Sequence, residues 1–129
     1  MKLEHVAINV SAPNEMADWY VKHLGMEIVR RTDASPWIQF IGDGSGKILI
    51  ELYNNPAVSV PNYAEMNSLL LHLAFVSDDP TADKERLMAA GATFDEDRTL
   101  PDGTRLLMLR DPWGVCIQFC KRTNPMLKS

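Results

Sequence analysis

The strongest constraint on this chain is an internal repeat of polar residues set in apolar alternation. His72 follows His5 by 67 positions, Gln118 follows Glu51 by the same 67, and the glycines that end two helical patterns, Gly25 and Gly91, are 66 apart. The neighbours of each polar residue are apolar: Val6 beside His5, Ile50 and Leu52 around Glu51, Leu71 and Leu73 around His72, and Ile117 and Phe119 around Gln118. A repeat of this length is the mark of one supersecondary unit used twice. Strand alternation then places all four polar side chains on the face away from the helices.

The order of elements within each half follows from period and punctuation. Residues 2–10 alternate as a half-buried strand. Ser11 offers a cap before Pro13, Met16, Trp19, Tyr20 and Leu24 recur at helical spacing, and Gly25 supplies the stop. Strands are predicted over 27–32, 37–41 and 47–53, the last two joined by the glycine-rich turn 42–46. A proline- and asparagine-rich connector over 54–67 separates this half from the next. Strand 69–76, a helix from Asp79-Pro80 to Ala90, Gly91, and strands 93–98, 104–110 and 115–121 then repeat the order. The fold class is therefore α+β, with two βαβββ modules at about 1–55 and 67–122 forming a single domain over 1–129. The expected architecture is a curved-sheet cup with helices outside.

Composition narrows the function classes. A length of 129 residues suits one core, and 46% apolar with 23% charged residues is globular rather than disordered. Seventeen acidic against 13 basic residues leave a net charge of −4 with the basic residues scattered, which disfavours nucleic acid and anionic membrane as partners. No apolar stretch approaches the ~20 residues of a membrane span. Glu4 and His5 occupy the place of a signal peptide's apolar centre, so the expected location is the cytoplasm. Cys116 and Cys120, four apart in one strand, lie ~13 Å apart and cannot bridge to each other; they read as small buried hydrophobes.

Two histidines, a carboxylate and a carboxamide form a donor set for a first-row divalent metal: zinc, nickel, cobalt, manganese or iron. The candidate ligands are His5, Glu51, His72 and Gln118. A lone strand histidine is usually structural, but the shared offset of 67 is hard to reach by four independent accidents. His23 has no such counterpart and reads as a helix-end residue. Trp37, Gln39, Tyr53 and Trp113 are candidates either for lining a pocket or for the core. The run Gly42-Asp43-Gly44-Ser45-Gly46-Lys47 is not a phosphate loop, because Ile41 stands at the required glycine and Ile48 follows the lysine.

Several of these residues together resemble the vicinal oxygen chelate superfamily, which includes glyoxalase I, extradiol dioxygenases, methylmalonyl-CoA epimerase, fosfomycin-resistance enzymes and bleomycin-binding proteins. The resemblance rests on Leu3-Glu4-His5-Val6, Trp19-Tyr20, Leu24-Gly25, Glu51, His72 and the turn Asp111-Pro112-Trp113-Gly114, and covers nearly the whole chain. It is nearest to the small bacterial glyoxalase I type, a lactoylglutathione lyase. The resemblance implies a homodimer, a metal on His5, Glu51 and His72, and a small substrate held through two neighbouring oxygens. Glu51 and Gln118 are the implied catalytic positions. Asn9, Asn55, Trp37 and Tyr53 are the substrate-binding candidates, Asn55 by its match to a glutathione-contacting position. Two departures stand out: Gln118 occupies the place of a glutamate, and Asn9 that of an arginine. An amide can coordinate a metal but cannot serve as a general base. The alternatives to a lyase or isomerase are a non-catalytic antibiotic-binding resistance protein and an iron(II)-dependent dioxygenase.

Overall fold

Alternating apolar residues produce two four-stranded sheets, each carrying one helix. The structure is a computed structural model that describes residues 1–127, and the chain divides into two compact units, Met1–Pro61 and Asn62–Ser129. The first unit runs β1 (His5–Asn9), α1 (Pro13–Leu24), β2 (Glu27–Arg31), β3 (Gln39–Gly42) and β4 (Leu49–Tyr53). The second runs β5 (Leu73–Val76), α2 (Pro80–Ala89), β6 (Thr93–Thr99), β7 (Arg105–Arg110) and β8 (Cys116–Lys121), preceded by a single 3-10 turn at Tyr63–Glu65. The strand orders are β1-β4-β3-β2 and β5-β8-β7-β6, so the two units share one topology.

The repeat is visible in the ladders themselves. β1 pairs with β4 in parallel, placing Ala7 opposite Glu51 and Ile8 opposite Leu52. β5 pairs with β8 in parallel, placing Ala74 opposite Gln118 and Phe75 opposite Phe119. Adding the offset of 67 to one ladder yields the other. Each unit also carries an irregularity in its outer hairpin, between Ile28 and Arg30 and between Phe94 and Glu96. α+β modules of the order βαβββ are thus present twice.

The helix-covered face of the first sheet holds Ile8, Ile41 and Leu52, packed with Met16, Ala17 and Tyr20 of α1, all buried. Gln39 belongs to this face. It is fully buried, donates from Nε2 to Asn14 Oδ1 in α1 at 2.7 Å and accepts from Arg31 Nε at 2.7 Å. Of the two places open to Gln39, pocket or core, it takes the core, where its carboxamide cross-links sheet to helix. In the second unit the buried apolar residues include Leu87, Leu107, Leu109, Ile117 and Phe119.

Local signals moved several boundaries. The strand expected from residue 69 begins at Leu73, because Asn67 captures the preceding residues in a turn: Leu70 N donates to Asn67 O at 3.0 Å and Leu69 N to Asn67 Oδ1 at 2.9 Å. The third strand begins at Gln39 rather than at 37, since Trp37 lies in a bend with φ of 59°. The first strand starts at His5, and α1 is preceded by Ala12 with no side-chain cap, so Ser11 does not perform that role. Asp79 does cap α2, accepting from Ala82 N at 3.1 Å.

Arg110 ties the last part of the connector, which lies within the second unit, to β7 and the turn before β8. Arg110 donates from Nη1 to Tyr63 O at 2.7 Å and Gly114 O at 3.1 Å, from Nη2 to Met66 O at 2.9 Å, and from Nε to Asp95 Oδ2 at 2.8 Å. Among the described residues no helix is long and apolar enough to cross a membrane.

Candidate functional site

On the open face of the first sheet, register groups Ala7, Glu51 and Phe40. His5 is on the same face at the start of β1, its ring edge-on to Phe40 with centroids 5.4 Å apart. His5 Nε2 lies 3.1 Å from Glu51 Oε2, and Nδ1 lies 2.9 Å from Glu4 Oε1. Carboxylate oxygens accept and never donate unless protonated. A ring that donates Nδ1–H to Glu4 therefore turns its Nε2 lone pair toward Glu51, and the pair is stable only with an electropositive centre between them, a proton or a metal ion. Two donors ~2.1 Å from one ion and subtending roughly 90–110° at it lie about 2.9–3.4 Å apart. The observed 3.1 Å falls in that interval, so this half of the donor set fits a first-row divalent ion.

The second unit presents its pair differently. Gln118 is half-buried on the open face of β8, between Cys116 and Cys120, and its Oε1 is 3.2 Å from Cys120 Sγ. Both cysteines are buried, and burial pushes both thiols up from their ordinary value, which keeps them protonated and unreactive. His72 is exposed, one residue before β5, with Nδ1 2.8 Å from Ser68 O. A backbone carbonyl only accepts, so Nδ1–H is the donor in this contact and Nε2 is the ring nitrogen left to ligate. Among the described residues no group of three or more histidine, cysteine, aspartate and glutamate side chains is gathered to hold a metal ion. The candidate ligands are distributed two to a unit.

The substrate candidates are placed as follows. Asn9 ends β1, and its Oδ1 accepts from Asn55 N at 2.8 Å while its Nδ2 donates to Val58 O at 3.4 Å. Asn55 Oδ1 in turn accepts from Ala57 N at 2.9 Å. These amides tie down the loop after β4, a duty that an arginine at position 9 would not perform. Tyr53 closes β4 opposite Asn9. Trp37 is 41% exposed with a left-handed φ of 59°, a conformation uncommon for a bulky residue. At the end of β5 and β8 lies a cavity of about 500 Å³ whose lining includes Ala74, Val76, Cys120 and Met126 together with Asp78 and Arg122; Gln118 is not part of it. Two contacts escaped the sequence reading. Glu4 was in plain view beside His5, but the Ser68 carbonyl leaves no side-chain signal.

The family model for the Glyoxalase/Bleomycin resistance protein/Dioxygenase superfamily matches residues 2–119. The chain belongs to that superfamily. It is 27% identical over 127 residues to the uncharacterized protein YwbC of Bacillus subtilis (strain 168), covering 94% of this chain and 98% of that one. Among solved structures, a mutant glyoxalase I from Zea mays superposes with a TM-score of 0.73 at 22% identity, covering 95% of this chain and 46% of the maize chain. TnmS3, an antibiotic binding protein from Streptomyces sp. CB03234, superposes with a TM-score of 0.67 at 20% identity, covering 92% of this chain and 93% of that one. At these identities the structural likenesses establish the fold.

Proposed function

We propose that this protein is a divalent-metal-dependent, glyoxalase-like lyase or isomerase acting on a small molecule that offers two neighbouring oxygens. The observation that carries this reading is the 3.1 Å separation of His5 Nε2 and Glu51 Oε2, a spacing suited to two ligands of one ion. His72, with Nδ1 engaged by Ser68, contributes Nε2, and Gln118 contributes Oε1 as the weakest of the four. A bound zinc, nickel, cobalt, manganese or iron(II) ion would supply Lewis acidity toward the substrate oxygens. Glu51, the only carboxylate of the four, is then the group that accepts a proton from the substrate carbon. Trp37, Tyr53, Asn9 and Asn55 are assigned to holding the substrate body.

The experiment is elemental analysis and calorimetric titration of the purified chain with each of the five metals, beside His72→Ala. One ion per chain, with affinity and metal-induced rise in melting temperature both reduced by His72→Ala, is the expected result. No uptake of any metal overturns the reading. Turnover with nickel or zinc marks isomerisation, and turnover requiring iron(II) and oxygen marks a dioxygenase. Sedimentation at micromolar concentration tests the accompanying assignment of a homodimer.

A second reading is favoured by the mainly apolar cavity of about 500 Å³ at the end of β5 and β8 and by the amide at Gln118, which cannot act as a base. Both suit a protein that sequesters an apolar small molecule without converting it, as TnmS3 is described as binding an antibiotic. Tight ligand binding that is indifferent to metal distinguishes it.

A further inference from the structure

We infer that Glu4 is a positioning residue for the metal assigned above: its carboxylate accepts the Nδ1 proton of His5 and so offers the Nε2 lone pair beside Glu51. The inference rests on the proposed metal reading and adds to it a residue outside the four ligands. Three observations support it. Glu4 Oε1 is 2.9 Å from His5 Nδ1 while Glu51 Oε2 is 3.1 Å from Nε2, so the ring is held at both ends and only one end faces the ligand partner. The backbone of Glu4 is fixed although its side chain is exposed, since its carbonyl accepts from Leu49 N at 2.8 Å and continues the β1–β4 ladder. Finally, His72 carries the same arrangement by other means, with Nδ1 2.8 Å from the Ser68 carbonyl. Both candidate histidines thus have Nδ1 satisfied locally and Nε2 as the remaining ring nitrogen.

Partners of this kind orient a metal-binding imidazole, fix its tautomer and raise its basicity, and their loss typically weakens metal binding by ~10–100-fold. The two units differ in how they achieve it. The outer partner of His72 is a main-chain oxygen that no substitution removes, whereas the outer partner of His5 is a carboxylate on an exposed side chain.

The test uses the full chain and cobalt(II), whose visible absorption reports coordination directly. Glu4→Leu removes the acceptor, Glu4→Gln keeps an acceptor oxygen without the charge, and Glu27→Gln removes an exposed charge from β2, at the opposite edge of the same sheet from β1. The expected order of cobalt affinity is wild type with Glu27→Gln, then Glu4→Gln, then Glu4→Leu weaker by about 10-fold or more. In the zinc-loaded protein, nitrogen NMR of the His5 ring is expected to show Nδ1 protonated and Nε2 coordinated in the wild type. Equal cobalt affinity for the wild type and Glu4→Leu overturns the positioning role and leaves the metal reading standing. A wild-type chain that binds neither ion overturns both. An equal loss in Glu27→Gln reduces the effect to net charge and also overturns the role.

Discussion

Glu51 and Gln118 occupy the same rung of two equivalent ladders, one opposite Ala7 and the other opposite Ala74, and they differ in one atom of the side-chain head. That difference separates a ligand that can take a proton from one that cannot. Gln118→Glu should therefore tighten divalent-metal binding and add a second carboxylate base. General acid–base participation is typically worth ~10²–10⁴ in rate. Conversion of the methylglyoxal–glutathione adduct should rise by a measurable part of that range, in kcat more than in KM, because Asn9 leaves the arginine position unfilled. Steady-state kinetics with the nickel- and zinc-loaded proteins check it, and an unchanged kcat assigns the proton to Glu51 or another group.

The turn before β8 tolerates no side chain at Gly114. Its φ is +90°, and a Cβ there would lie 2.5 Å from the backbone nitrogen of Ala64. Gly114→Ala should destabilise the protein by on the order of 3 kcal/mol, combining backbone strain with overpacking against main chain that cannot yield. Urea unfolding midpoints measure the loss. Gly44→Ala is the control, because nothing lies within 4 Å of a Cβ there and its φ is not in the left-handed region.

How legible the molecule is from its sequence depends on what each residue touches. The two modules could be read because His5 and His72, and Glu51 and Gln118, recur among apolar neighbours at one spacing, and that offset of 67 is the register offset of the ladders. Leu69 and Leu70 misled for the same reason: they are apolar, yet both are exposed in a turn held by Asn67. For Gln39 the sequence left pocket and core open, since a polar residue on the helix face is explained by its contact with Asn14, 25 positions away. The role of Arg110 was out of reach, because three of its acceptors are main-chain oxygens in segments without periodicity. At the candidate site the ligand types and faces were readable, while the Nδ1 partners that prepare the histidines required coordinates.

Gln39 yields a sharp contrast between two substitutions. Its carboxamide is buried between Asn14 and Arg31. Gln39→Leu keeps the volume but leaves the Asn14 oxygen and the Arg31 guanidinium without this partner, and should cost about 1–3 kcal/mol. The double variant Gln39→Leu with Asn14→Leu should recover part of that loss, since removing both partners of a buried hydrogen bond costs less than removing one. Thermal or urea unfolding of Gln39→Leu, Asn14→Leu and the double variant decides it. A double variant weaker than the sum of the single losses would show that the bond does not organise this interface.

The acid limb of stability should bear the mark of Asp97. Arg105 donates from Nε to Asp97 Oδ1 at 3.0 Å and from Nη2 to Oδ2 at 2.8 Å, and this bidentate hydrogen bond holds the Asp97 carboxyl below its ordinary value of 3.8. A group whose folded-state value is lowered contributes stability that is fully present above the unfolded value and is lost as pH falls through the folded one. The wild type should therefore lose this contribution on acidification below about pH 4, an amount under about 1 kcal/mol for a pair of this exposure. Asp97→Asn, which has no proton to take up, should be less stable at pH 7 and converge on the wild type as the pH approaches 3. Urea midpoints collected at intervals from pH 7 to pH 3 give the comparison. Parallel curves for the two proteins would show that the Arg105 bridge contributes nothing in water.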